Sequence, residues 1–187
     1  MIELFEKYVY WRILSRFLAS PNTFFHVKGL ARMMEVSPGS VSSAARALHS
    51  EGLLIKEERG LAHYYKLNAD HYFVPPLKKA YGIAKISELK PEIEFLEVDP
   101  DITSLALFGS YADGSFDEES DVDFLVITPN KKREVIRTAE QFGSELGLEV
   151  GVYMFRLPQW RSMAKRGDEF YRLVVGNYLL LRGDGVE

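Results

Sequence analysis

Cysteine is absent from the 187 residues. That excludes disulfides, thiolate metal centres and a cysteine nucleophile. Long apolar runs are missing too: none approaches the roughly 20 residues a membrane helix needs. The opening segment, MIELFEKYVYWRILSRFLAS, is interrupted by Glu6, Lys7, Arg12 and Arg16 and lacks a small-residue cleavage site, so it does not read as a signal peptide. Histidine is scarce, and His26, His49, His63 and His71 lack the spacing of a metal cluster. The expectation is a soluble, cytoplasmic protein with no membrane attachment.

What is present is enough for packed cores: 47% of the residues are hydrophobic and 13% aromatic. The net charge of −4 is unevenly spread. Residues 1–70 hold 9 Lys+Arg against 7 Asp+Glu, whereas residues 71–187 hold 14 against 20. An acidic C-terminal part argues against wrapping a long nucleic acid there without metal ions, and a mildly basic N-terminal part keeps DNA binding open.

Along the chain, residues 3–19 place Leu4, Tyr8, Trp11, Ile13, Leu14 and Leu18 near helical spacing. A short helix is expected over Val27 to Met34. Ser37-Pro38 then supplies an N-cap and a first-turn proline for a third helix that runs to Gly52. LLIKEE and AHYYKLN, separated by Arg59-Gly60-Leu61, form a hairpin pattern. That order is the order of a winged helix-turn-helix. Residues 75–89 suggest a connecting helix, followed by an acidic, proline-bearing linker. From Asp99 onward strands (SLALF, DVDFLVIT, LEVGVYMF, YLLL) alternate with helices at 131–146 and 158–177. The expected organisation is a winged helix domain at 1–70, a connecting helix and linker at 71–98, and a second domain at 99–187. Trp11 and Trp160 are expected in cores or between domains.

The segment LFGSYADGSFDEESDVDFLVI carries the chemistry. Gly109-Ser110 follows a strand directly, and Asp121-Val122-Asp123 opens the next. Side chains two apart on a strand face the same way, so the two carboxylates converge. Paired carboxylates repel unless a cation sits between them, and Mg²⁺ selects such oxygens when phosphates supply its other ligands. Gly109 allows close backbone approach, and Ser110 can open a helix whose N–H groups favour an anion.

These residues resemble the signature of the polymerase-beta-type nucleotidyltransferase superfamily, and LFGSYA with SDVDFLV is similar to the minimal nucleotidyltransferases of bacteria and archaea. The resemblance implies an α+β fold, a mixed sheet with flanking helices, behind the N-terminal winged helix-turn-helix. It also implies that Asp121 and Asp123 bind Mg²⁺ or Mn²⁺ and that Gly109 and Ser110 hold the β and γ phosphates of a nucleoside triphosphate. The expected function is transfer of a nucleoside monophosphate to a hydroxyl acceptor. Two departures stand out. The third carboxylate of the family aligns with Gly151, leaving Glu149 as the candidate to replace it. Asp113 stands where relatives carry Arg or Lys. The alternative is a DNA-binding transcriptional regulator whose second domain senses nucleotide or has lost catalysis.

For DNA contact, Val41, Ala45 and Leu48 should pack inward and leave Ser40, Ser42, Ser43 and Arg46 outward, with Arg46 able to reach a guanine. Arg59 and His63 on the hairpin could touch phosphate. Such a module implies binding of double-stranded DNA as a homodimer. The run Lys131-Lys132-Arg133 reads as a solvated patch. Minimal members of the resembled group often act beside a small helical ribonuclease-like protein as antitoxin, so a protein partner of that kind is a further expectation.

Overall fold

The computed structural model describes residue 2, residues 8–130 and residues 133–187. Leu4 of the first expected helix, and Lys131 and Lys132 of the basic run, lie outside the described residues. The chain forms two compact units, Met1–Lys85 and Ile86–Glu187. The stretch 71–98, read from the sequence as a connector, therefore contributes residues to both.

The first unit begins with helix α1 (Val9–Ala19), whose Ile13, Leu14, Phe17 and Leu18 are buried. Strand β1 (Phe25–His26) leads into α2 (Val27–Met34), which ends at Glu35 in the left-handed conformation. Helix α3 (Pro38–Ser50) starts as its sequence dictates: Ser37 caps it by accepting from the Ser40 amide at 3.0 Å, and Pro38 occupies the first turn. Its Val41, Ala45 and Leu48 are buried with Ala44, so the inward face is the one its spacing implies. Strands β2 (Leu54–Arg59) and β3 (Ala62–Leu67) pair antiparallel through a turn at Gly60 (φ 62), and β1 adds to the other edge of β3. The two-residue β1 is too short to show a period in sequence. Helix α4 (Val74–Ser87) contributes Val74 and Leu77 to this core. Trp11, expected in a core or between domains, is 40% exposed and lies outside the core face of the helix, which is filled by Ile13, Leu14, Phe17 and Leu18.

The second unit is a four-stranded mixed sheet in the order β6-β5-β4-β7, built from β4 (Ser104–Phe108), β5 (Val122–Ile127), β6 (Val150–Phe155) and β7 (Tyr178–Gly183). β4 pairs antiparallel with β5 and β7, and β5 pairs parallel with β6. The parallel pair requires a crossover, which α7 (Arg133–Leu146) supplies. Both central strands are buried on both faces, which is why SLALF and DFLVI read as nearly continuous apolar runs.

On one face of the sheet Phe124 meets Phe95 and Phe142 in edge and tilted ring contacts 5.4–6.1 Å apart. Phe95 lies on α5 (Pro91–Val98), a helix the sequence reading left as linker. Proline in its first turn, with Glu92 and Glu94 beside it, is a helix start, and burying Phe95 completely anchors it. On the other face α8 (Leu157–Arg166) and α9 (Glu169–Gly176) bring Trp160 and Phe170 over Phe155 and Phe108. Trp160 is buried, and its indole N–H donates to the Val186 carbonyl at 2.6 Å. Beyond α5 the fully buried Asp99 accepts from the Thr128 hydroxyl at 2.6 Å and the Asn130 amide at 2.9 Å, tying the helix end to the end of β5. Among the described residues no helix is long and apolar enough to cross a membrane.

Candidate functional site

The site forms at the end of β4 where the chain leaves the sheet. Gly109 has φ 72 and ψ −153, a region nearly closed to residues with a Cβ. It turns the chain into the four-residue helix α6 (Ser110–Asp113), which Gly114 closes in the left-handed conformation. The loop back to β5 is held from within. Phe116 stacks flat on Tyr111, with centroids 4.4 Å apart and planes 8° from parallel, and both rings are buried. The Asp117 carboxylate accepts from the Glu119 amide and the Ser120 hydroxyl. The Asp113 carboxylate accepts from the Ser115 amide at 2.7 Å.

This loop delivers Asp121 just ahead of β5 and Asp123 within it. Asp121 is exposed and Asp123 partly buried. Asp123 stands opposite Phe108 in β4 and opposite Gly151 in β6. Its carboxylate is bracketed by two glycines. A Cβ at Gly109 would lie 3.1 Å from Asp123 Oδ2, and one at Gly151 would lie 2.9 Å from Asp123 Oδ1. Burial, and then the charge of Asp121, push the Asp123 carboxyl above its ordinary value. Among the described residues no Lys, Arg or His forms an ion pair with either aspartate.

Glu149 does not complete a set of three. It is exposed and lies one residue before β6, where its carbonyl accepts from the Val122 amide at 3.0 Å. Among the described residues no three His, Cys, Asp or Glu side chains gather closely enough to hold one ion. What the site offers a cation is therefore two carboxylates. That suits a divalent cation keeping most of its ligands as water and phosphate oxygens, as Mg²⁺ does, and does not suit an all-protein cage.

One residue at the site was not singled out from the sequence. Tyr153 shares a strand face with Gly151, and its ring approaches a Gly151 Cβ position to 3.1 Å. It is held between Phe108 and Phe170 at centroid distances of 5.4 and 5.1 Å. Its hydroxyl is pushed above the ordinary tyrosine value by burial and by Asp123, Asp121 and Glu149, so it remains a proton donor beside the carboxylates. The alternation that pairs Asp121 with Asp123 would have pointed to it, had it been continued along β6.

The residues expected to meet DNA are more mixed. Arg46 and Ser43 are exposed on α3, and Ser42 is partly exposed. The Ser40 hydroxyl is occupied by Ser37 at 2.8 Å, and Ser43 meets the Tyr10 hydroxyl at 3.3 Å. Arg59 is engaged by the Glu57 carboxylate at 2.7 Å and lies over Tyr64 and Phe24. His63 lies 3.6 Å from Glu58, which also binds Lys56. Lys56, Arg59 and His63 thus each lie beside an acid of the same hairpin, while Lys66 lies over the Phe24 ring.

The family model for the nucleotidyltransferase domain matches residues 86–175. A Methanocaldococcus jannaschii protein named "Putative protein adenylyltransferase MJ0141" is 32% identical over 76 residues, covering 38% of this chain and 76% of that protein. Among solved structures, a toxin-antitoxin with AMP-PNP aligns at 23% identity and a TM-score of 0.39, over 51% of this chain and 73% of that one. The archaeal chromatin protein TrmBL2 aligns at 15% identity and a TM-score of 0.31, over 90% of this chain and 74% of that one.

Proposed function

Because this chain belongs to the nucleotidyltransferase domain family, we propose that it moves a nucleoside monophosphate from a nucleoside triphosphate to a hydroxyl acceptor. The observation that carries the reading is the Asp123 carboxylate bracketed by Gly109 and Gly151, next to Asp121 and with no ion-paired cation among the described residues. A divalent ion held by Asp121 and Asp123 would neutralise charge on the triphosphate and orient it. Gly109 and Ser110 hold the β and γ phosphates, where the absence of a Cβ lets backbone N–H groups approach. The acceptor oxygen bonds to the α-phosphorus in line as the bridging P–O bond to the β-phosphate breaks. Pyrophosphate leaves, and the hydroxyl proton passes to water. The chain's contribution is positioning and charge neutralisation, with Tyr153 supplying a hydrogen-bond donor at the rim.

The test is incubation of the purified protein with each labelled nucleoside triphosphate and Mg²⁺ or Mn²⁺, beside Asp121→Ala, reading equilibrium binding and pyrophosphate release. Metal-dependent release that falls by more than ~100-fold in the variant supports transfer, since even the groups that orient a metal ligand cost 10–100-fold when removed. Binding without release replaces transfer by nucleotide sensing. No binding at all overturns the reading.

A second reading concerns the first unit. Three helices followed by a hairpin, with β1 before α2 pairing onto β3, have the order of a winged helix, and Arg46 is presented on α3. Its function would be duplex DNA binding as a dimer. Arg46→Ala should then weaken a salt-sensitive duplex complex, and binding unaffected by both salt and this substitution would dismiss it.

A further inference from the structure

The first unit holds a cavity of about 560 Å³ lined by Arg12, Ser15, Arg16, Met33, Met34 and Tyr81. Its polar wall is built from two helices, Arg12, Ser15 and Arg16 coming from α1 and Tyr81 from α4, where Lys85 follows one turn later. Lys85 is close enough to Arg16 that burial, and then the Arg16 charge, hold its ammonium below the ordinary value. Among the described residues no carboxylate pairs with Arg12, Arg16 or Lys85. The Arg16 Nε is buried and has no hydrogen-bond partner among the described residues. A buried guanidinium donor left unmatched beside like charges is unfavourable, and an anion in the cavity would relieve both terms.

The remaining donors point to the kind of anion. Arg12 spends one N–H on the Met34 carbonyl at 2.9 Å, which fixes its guanidinium and leaves its other donors available. The Ser15 hydroxyl donates to the Arg12 carbonyl at 2.8 Å and braces the same turn. Arg16 lies over the Phe25 ring, 5.4 Å from its centroid, so its plane too is set in advance. Two oriented guanidinium forks with an ammonium nearby match the several oxygens and double charge of a phosphate better than a single carboxylate. The Met33 and Met34 side provides a polarizable, adaptable surface for an organic remainder, and the volume is that of a small-molecule site.

We propose that this cavity binds the phosphate group of a small phosphorylated molecule, at a site separate from Asp121 and Asp123. The proposal is independent of the transfer reaction.

It is tested by calorimetric titration of the full chain with inorganic phosphate and with glycerol 3-phosphate, at constant ionic strength and with EDTA present. The expected result is saturable binding at one site, retained in Asp121→Ala and weakened about tenfold or more in Arg16→Gln, as loss of one charge-assisted hydrogen bond would do. Arg12→Gln, which removes the other guanidinium, should weaken it similarly and serves if Arg16→Gln does not fold. Tighter binding of the ester than of inorganic phosphate places the organic remainder against the methionines. No saturable binding, binding indifferent to both arginine variants, or binding lost in Asp121→Ala would each overturn the proposal.

Discussion

Gly151 faces Asp123 across the parallel β5–β6 pair so closely that a Cβ there would come within 2.9 Å of Asp123 Oδ1. The glycine is what allows the partly buried carboxylate its position. An acid placed at 151 should therefore displace Asp123 rather than complete the site. Gly151→Asp is expected to lower thermal stability and reduce metal-dependent nucleotide binding. Glu149→Gln, on an exposed residue outside the pair, should leave both unchanged. A Gly151→Asp protein that binds nucleotide more tightly at unaltered stability would contradict this.

Asp123 links the site to stability through pH. Its folded-state carboxyl value is raised by burial and by Asp121, so the folded protein holds that proton more tightly than the unfolded chain does. The group imposes no penalty below its unfolded value, acquires one as pH rises toward the folded value, and carries it in full above. Asp123→Asn should consequently melt higher than wild type at pH 7.5 in EDTA, with the difference shrinking as pH falls through the carboxylate range. Mg²⁺ should narrow the same gap at pH 7.5 by stabilising only the wild type. A gap independent of both pH and metal would count against this account.

At Gly109 two constraints coincide, a backbone of φ 72 and ψ −153 and the nearness of Asp123 Oδ2. Gly109→Ala should cost about 1–3 kcal/mol from backbone strain. It should also weaken triphosphate binding, because the methyl group occupies the approach. Urea denaturation and nucleotide titration check the two effects separately, and a variant as stable as wild type would show that the turn relaxes freely.

The Phe116 ring on Tyr111 anchors the loop that carries Asp121. Phe116→Ala should destabilise the protein by about 3–5 kcal/mol, as expected for emptying a fully buried phenylalanine site. Phe116→Leu should recover much of that loss, and with it nucleotide binding. Equal losses in the two variants would mean that ring stacking rather than filled volume holds the loop.

Asp99 offers a control remote from the carboxylates. Removing its side chain leaves the Thr128 hydroxyl and the Asn130 amide without their buried acceptor. Asp99→Ala should cost about 1–3 kcal/mol in urea denaturation, with nucleotide binding intact in the protein that remains folded. Loss of binding without loss of stability would assign Asp99 a different role.

Much of this protein could be read along the chain because the signals are local. The Ser37 cap with Pro38, the turn at Gly60, the inward face of α3 and the buried strands of SLALF and DFLVI all depend on residues within a few positions of one another. So does the convergence of Asp121 and Asp123, which needs only the two-residue period of a strand. Helix α5 carried a local start signal in Pro91 with Glu92 and Glu94, but its acidic surroundings disguised it as linker, and the burial of Phe95 against Phe124 and Phe142 is a tertiary fact. The same holds for the character of the site. That Gly151 abuts Asp123, that Glu149 stays outside, and that Tyr153 stands at the rim all follow from the register of a parallel pair joined by a long crossover, which chain-neighbour rules do not determine. The acid beside His63 depends on the hairpin register in the same way, whereas Glu57 meets Arg59 two residues along one strand, and the cavity joining Arg12 and Arg16 to Tyr81 depends on helices far apart in sequence. Sequence alone determined which chemistry could be assembled, since residue type and short spacing suffice for that; only tertiary pairing decided which groups meet, because the contacts are set by packing between segments that the chain itself keeps apart.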